Sequence, residues 1–204
     1  MLVPTAPIAT RAILPDDPGV AFAASTALLQ DGRLMANHHR GLWGYWGSGS
    51  DGRGPLTIQS TGVGAGSASL VLAELAALGV RSAVRIGTAR ARDAGTAAGT
   101  AVAVPEAVSG ELRATLDPEL TDRLATIADA RSPVASIDPL VGPQDAALWD
   151  LETAALAAVA ERAGVRLGAL LVVSASGGRT LGHDELAQAL AAAAEHAAAV
   201  LPDG

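Results

Sequence analysis

The chain is predicted to fold as an α/β domain with a mostly parallel or mixed sheet. Two observations carry this expectation. Short apolar runs of Val, Ile, Leu and Ala alternate along the chain with segments whose apolar residues recur at helical spacing. One run, Leu167 to Ser174, is continuously apolar, as a strand buried on both faces is.

The elements follow in order. Arg11 to Leu14 reads as a short strand that ends at Pro15-Asp-Asp-Pro18, a rigid turn. Ala21 to Gln30 reads as a helix closed near Gly32. Asn37 to Gly54 is rich in Gly, Ser, His and Trp and reads as a loop or hairpin, with Ser48-Gly-Ser-Asp-Gly52 at its tip. Leu56 to Ser60 is expected to be a buried strand, Ser67 to Leu78 a helix stopped by Gly79, and Ala83 to Ile86 another strand. Gly99 to Pro105 reads as a strand. Asp117-Pro-Glu, with Leu120, Leu124 and Ile127 behind it, opens a helix, and Pro133 to Ile137 is short and extended. Asp145 to Ala163 is expected to be one long helix with Gly164 just past its end, and a last helix runs from about Asp184 to Val200. No repeat and no long linker divides the chain, so residues 1–204 are expected to form one domain.

Composition excludes several kinds of chemistry. Half of the residues are hydrophobic, and the aromatic ones are only Phe22, Trp43, Tyr45, Trp46 and Trp149, so Ala, Val, Leu and Ile must build the core. The net charge is −7 and all 14 basic residues are arginine. Without lysine there is no Schiff base. Without a basic stripe, nucleic acid is not an expected partner. The absence of cysteine removes disulfides, thiol catalysis and zinc–thiolate sites. The N-terminus lacks the basic and apolar regions of a signal peptide. The alanine-rich stretch from Leu186 to Leu201 is broken by Glu195 and His196 and falls short of the ~20 apolar residues of a membrane span. A cytoplasmic protein with no membrane partner is expected.

Three segments carry the candidate chemistry. Ser60-Thr-Gly-Val-Gly-Ala-Gly-Ser-Ala-Ser69 reads as a strand ending in a glycine-rich turn that opens a helix. Its third glycine comes one residue too early for a dinucleotide fingerprint. The other reading is a tight structural turn. Val84-Arg-Ile-Gly-Thr88 places Arg85 in a short strand, where a charge needs a partner, with Thr88 in a following Gly-Thr turn. Arginine, hydroxyl and free N–H groups form a phosphate-binding set; the other reading pairs Arg85 with a structural carboxylate. Trp149-Asp-Leu-Glu-Thr-Ala-Ala-Leu156 places Glu152 on an otherwise apolar helix.

Together, and in this order, these segments resemble the nucleoside phosphorylase family of purine nucleoside and uridine phosphorylases. The resemblance implies a phosphorylase/hydrolase-like three-layer sandwich around a central mixed, partly barrel-like sheet. It implies that Arg85 and Thr88 hold the attacking phosphate and that Glu152, behind Leu151, holds the ribose hydroxyls, which makes Arg85 and Glu152 the expected catalytic residues. Arg40, in Asn37-His-His-Arg-Gly41, resembles the arginine that reaches into the neighbouring subunit's phosphate site. A homodimer or trimer of dimers is therefore expected, with Trp43, Tyr45 and Trp46 at the interface. His38 and His39 have no acidic partner at ligand spacing, and no metal is expected.

The departures from the family fall inside the site. Where it has Pro-Gly-Asp-Pro-x-Arg, this chain reads Pro15-Asp-Asp-Pro-Gly-Val20, so Asp16 and Val20 stand at phosphate-contacting positions. Arg90 stands where the family has glycine beside the base. It either restores the lost phosphate charge or fills the base pocket. That pocket is expected to involve Ala89, Arg90, Leu140 and Ala175, with Ala175 where the purine enzymes carry an acid. Pro139 precedes Leu140 where a base-stacking aromatic is expected, and Gln144 has no nearby arginine to help it hold a pyrimidine.

The expected activity is phosphorolysis of a purine or pyrimidine nucleoside to free base and ribose 1-phosphate. That makes the chain a pentosyltransferase with inorganic phosphate as co-substrate and no organic cofactor. Two alternatives remain. One is a nucleosidase that uses water, with Asp16 or Asp17 as base. The other is a non-catalytic or weakly active homologue that binds a nucleoside-like ligand.

Overall fold

The structure, a computed structural model, describes residues 1–137 and 146–202. Strand β1 (Arg11–Pro15) leads into helix α1 (Pro18–Leu28). Asp17 caps α1: its carboxylate accepts the N–H groups of Gly19 at 2.7 Å and Val20 at 3.0 Å, and Pro18 suits the first turn. Next come β2 (Leu34–Asn37), one 3₁₀ turn (His39–Gly41), β3 (Gly44–Ser48), β4 (Pro55–Gln59), α2 (Ala65–Ala77) and β5 (Ser82–Ala91). They are followed by β6 (Ala101–Ala103), β7 (Glu106–Ser109), β8 (Leu112–Thr115), α3 (Pro118–Ala125), β9 (Ala130–Arg131) and β10 (Val134–Ser136). The last elements are β11 (Leu148–Asp150), α4 (Thr153–Ala163), β12 (Arg166–Ser176), β13 (Arg179–Thr180) and α5 (His183–Val200).

These strands join one mixed 13-stranded sheet, and two apolar clusters sandwich it between helices. The pleat sorts the side chains. Ala12 and Leu14 face the cluster with α2 and α4, whereas Ile13 between them faces the cluster with α1, α3 and α5. In β12, Leu167, Ala169, Leu171 and Val173 take the first face and Leu170 and Val172 the second. The result is the expected three-layer α/β sandwich with a central mixed sheet.

A fork in the sheet prepares the site. One edge of β5 pairs with β12 from Ser82 to Arg90. The other edge pairs with β1 through Ile86, then with antiparallel β11 at Arg90 and Ala91. Between those partners the edge at Gly87, Thr88 and Ala89 has no strand partner among the described residues. A crevice at the carboxyl ends of parallel strands, where neighbours diverge, is the usual ligand position in an open α/β sheet.

Several elements differ from the sequence expectation. Asp145 to Ala163 is not one helix. Residues 148–150 form β11, and α4 starts only at Thr153. Asp150 accounts for the late start: its Oδ2 accepts the Thr153 N–H at 3.0 Å, as a capping carboxylate does. Glu152 therefore stands at the helix N-cap rather than on a helical face. Gly87 and Thr88 do not form a turn; they continue β5 and pair with Leu171 and Val172. Of the expected Asn37–Gly54 alternatives the hairpin holds, β3 pairing with both β2 and β4. Trp43 is exposed, Trp46 half-buried, and Tyr45 turns inward to meet the Phe22 ring at 6.1 Å, so the three do not share one face.

The hairpin tip is clamped from within. Arg11, 1% exposed, makes a bidentate pair with Asp51 at 3.0 and 2.9 Å. Hydrogen bonds from Arg11 hold the Asp51 pKa well below the carboxylate range. A carboxylate lowered in this way stabilises the fold above its unfolded pKa, and that stability is lost as pH falls through the folded value. Asp51→Asn is expected to cost about 2 kcal/mol at pH 7 in thermal unfolding, with the deficit shrinking toward strongly acid pH.

Candidate active site

The fork opens into a cavity of about 310 Å³. Asp16, Arg85, Thr88, Arg90, Trp149 and Glu152 are among its lining residues, with Val63, Ala89, Asp150, Leu151 and Ser174. A larger recess of about 570 Å³ lies at the opposite, amino-terminal end of β12, beside Asp117 and Arg166. Its Arg166 is already paired, contacting Asp117 at 3.1 Å and Glu119 at 2.9 Å. The smaller cavity holds the chemistry.

Arg85 is its centre and is 1% exposed. Its Nε donates to Thr153 Oγ1 at 2.9 Å and its Nη2 to Asp150 Oδ2 at 3.2 Å. Its Nη1 lies 3.0 Å from Glu152 Oε1, without the alignment of a hydrogen bond. Asp16 adds a third carboxylate charge. It is the first residue past β1, which runs beside β5 with Leu14 opposite Arg85. The cage is braced from behind: Ser136 Oγ donates to Asp150 Oδ1 at 2.5 Å and accepts the Ala154 N–H at 2.8 Å. Thr153 Oγ1 also bonds Asp150 Oδ2.

Glycine serves the site at two positions. Glu152 Oε2 accepts the N–H of Gly64 at 3.1 Å, and Gly64 holds φ +90°, a left-handed backbone that L residues rarely adopt. Gly87 lies two residues beyond Arg85 on the same face of β5, and the guanidinium folds back over it. A Cβ there would sit 2.6 Å from Nη2 and 2.9 Å from Cζ. This is the physical reason for the Arg-x-Gly spacing. Gly87→Ala is expected to push the guanidinium from its cage, costing about 1–3 kcal/mol in thermal unfolding and roughly 10²-fold in turnover.

The charges explain the titration behaviour. Burial alone would lower the Arg85 pKa, but Glu152, Asp150 and Asp16 together outweigh it and raise it. Burial raises the pKa of Asp16, and Arg85 opposes that without cancelling it. Glu152 is raised for the same reasons in the same order. One guanidinium collects three carboxylates, while each carboxylate receives only a share of one positive charge. With all groups ionised, that cluster carries more negative than positive charge.

The expected site residues divide into those the fold gathers and those it leaves elsewhere. Asp16, Arg85, Thr88, Ala89, Arg90, Leu151 and Glu152 line the cavity together. Asp17 does not, being the cap of α1. Val20 packs against the core cluster beneath α1. Arg40 is exposed on the 3₁₀ turn at φ 59° and does not line its own chain's cavity. Ala175 lies just beyond an irregularity in β12 between Val173 and Ala175, so Ser174 lines the cavity in its place and donates to the Ala89 carbonyl at 3.0 Å. Leu140, with Pro139 and Gln144, lies outside the described residues. Sequence reasoning missed Val63, Trp149, Asp150 and Ser174. Helical spacing places Trp149 and Asp150 on a helix; the β-forming tryptophan followed by a capping aspartate is the contrary signal.

Arg90 is an exposed residue at the rim of the cavity. Its guanidinium stacks on Trp149, 5.3 Å from the ring centroid, at the Trp149 side of the cavity. Among the described residues no group of three or more His, Cys, Asp or Glu side chains is placed to hold a metal ion, and no helix is long and apolar enough to cross a membrane.

No family model matches the chain. A stretch of 80 residues, 39% of the chain, is 40% identical to uridine phosphorylase of Escherichia coli (strain K12). It spans 30% of that protein's length. This partial similarity points to the nucleoside phosphorylase family and no further.

Proposed function

We propose that this chain cleaves the N-glycosidic bond of a nucleoside and that water, rather than phosphate, accepts the sugar. The observation that carries the reading is the enclosure of Arg85 by Asp16, Asp150 and Glu152. Two like charges ~4 Å apart repel by about 4 kcal/mol at an effective dielectric near 20. A phosphate anion entering this cage meets the charges of three carboxylates that already draw on the Arg85 guanidinium. Water meets no such barrier. The same negative field favours the reaction itself, because the glycosidic bond breaks through an oxocarbenium-like sugar cation.

The residues take distinct roles. Glu152 is held at one oxygen by Arg85 and at the other by the Gly64 N–H. A carboxylate offers about four lone-pair sites, which leaves about two for sugar hydroxyls. Asp16 takes a proton from the attacking water as its oxygen bonds the anomeric carbon. The pair of electrons in the broken C–N bond leaves with the base, whose nitrogen takes a proton from solvent, and Asp16 returns the proton it took from the water to solvent. The raised pKa of Asp16 makes it a stronger base than an ordinary carboxylate. Asp17 is excluded from this role by its capping bonds.

Two measurements test the reading. Base release from a panel of purine and pyrimidine nucleosides in phosphate-free buffer is expected; no release from any of them overturns it. The pH profile of kcat/KM is expected to fall on the acid side with an apparent pKa above the usual carboxylate value of about 4. That value belongs to the coupled Asp16 and Glu152 pair.

A further inference from the structure

The cavity holds two arginines in different electrostatic situations. Arg85 is shared among three carboxylates. Arg90 lines the same cavity, and among the described residues no carboxylate pairs with it. The sheet fixes its position: Trp149 stands directly opposite Arg90 in the antiparallel β5–β11 pair, which places the two side chains together on one face. The indole holds the guanidinium by its face. That contact consumes none of the five N–H donors. Five residues of extended strand, ~16 Å, separate the Cα atoms of Arg85 and Arg90. With Asp16 and Glu152 at the Arg85 end, the Arg90 end receives the part of the ligand farthest from the sugar.

From this geometry we infer that the cavity selects nucleosides whose base carries a carboxylate, held edge-on by the Arg90 guanidinium with Trp149 as its backing. The orientation rests on the glycosidase reading above. The anion recognition rests on Arg90 and Trp149 alone. A planar guanidinium that is stacked and, among the described residues, otherwise unpaired is a bidentate receptor for a planar carboxylate. The carboxylate cage at the other end repels an anion placed there, so an acidic group also fixes which way the ligand enters.

Calorimetric binding of free heterocycles tests the inference without requiring turnover. The pairs are uracil with uracil-5-carboxylate and purine with purine-6-carboxylate. At least one acidic member is expected to bind about 10–100-fold tighter than its neutral partner, the scale of a charge-assisted contact. Arg90→Gln is expected to bring that ratio close to one. Arg113→Gln, a distant exposed arginine, is expected to preserve it. Equal binding of both members in both pairs, or a preference that survives in Arg90→Gln, overturns the inference. So does a preference for uridine 5′-monophosphate over uridine that is lost in Arg90→Gln, because it moves the anion to the sugar. A carboxylate preference that depends on Arg90, without base release from the matching acidic nucleosides, overturns the glycosidase reading and leaves this one standing.

Discussion

Asp16→Asn is expected to lower kcat for base release by about 10²–10⁴-fold, the usual contribution of a general base, and at the same time to raise the melting temperature at neutral pH. The loss follows from chemistry: an amide keeps the size and polarity of the carboxylate but cannot take the proton of the attacking water. The gain follows from linkage. Burial raises the Asp16 pKa in the folded chain, so the folded state binds its proton more tightly than the unfolded state. The stabilising contribution of such a group is present below its unfolded pKa and is lost as pH rises through the folded value. At pH 7 the parent chain therefore carries a charge that the fold disfavours. Removing it is expected to add ~1 kcal/mol, or about 2–4 °C for a chain of this size. The difference between variant and parent should close as pH falls to about 4 and below. A residue kept only for structure would not show activity and stability moving in opposite directions. Activity retained in Asp16→Asn removes Asp16 as the base.

Glu152→Gln is expected to reduce kcat/KM by about 10²–10³-fold, mostly through kcat. Glutamine can still accept the Gly64 N–H through its amide oxygen, so the entry to α4 keeps its shape. It cannot carry the negative charge that faces the developing sugar cation. Its NH₂ group would also meet the Arg85 Nη1 donor where the Oε1 acceptor now lies at 3.0 Å. Arg85 keeps Asp150 at 3.2 Å and the charge of Asp16, so the fold is expected to persist, with unchanged circular dichroism. A fall in kcat/KM caused only by a higher KM would assign Glu152 to uniform binding of the sugar and remove it from stabilisation of the transition state.

Much of the architecture is legible in the residues because hydrophobic period and turn chemistry agree. Leu167 to Ser174 reads as a buried strand and is one, whereas Pro15-Asp-Asp-Pro18 reads as a turn before a helix at Ala21 and in the fold supplies the Asp17 cap of a helix that already starts at Pro18. The misread segment, Asp145 to Ala163, is one where a tertiary partner overrides local pattern. Trp149 and Asp150 continue an alanine-rich helical spacing on paper, but β5 claims residues 148–150 as a strand and the Asp150 carboxylate then starts the helix. Gly87 and Thr88 look like a turn because glycine followed by a hydroxyl usually is one. Here the glycine is needed to clear the Arg85 guanidinium within a strand.

The same distinction applies to the cavity. Arg85, Thr88 and Glu152 are readable from motif spacing. What the spacing hides is the state of Arg85. An arginine beside glycine and threonine looks like an open anion site, and only the fold shows that Asp16, Asp150 and Glu152 already surround it. Asp150 is two residues from Glu152, yet its role depends on β11 and on Ser136, 14 residues earlier in the chain. The direction of Arg90 likewise required the β5–β11 register, which no local pattern contains.

The central claim, that the cage around Arg85 suits water and disfavours phosphate, is tested most directly by following the sugar. With a nucleoside that the protein cleaves, base release and sugar product would be measured together, in phosphate-free buffer and in excess phosphate, with ³¹P NMR to detect any pentose 1-phosphate. The account predicts free pentose as the sugar product in both buffers and a rate of base release that phosphate does not increase. Pentose 1-phosphate formed in step with the base, or release that requires phosphate, would contradict it.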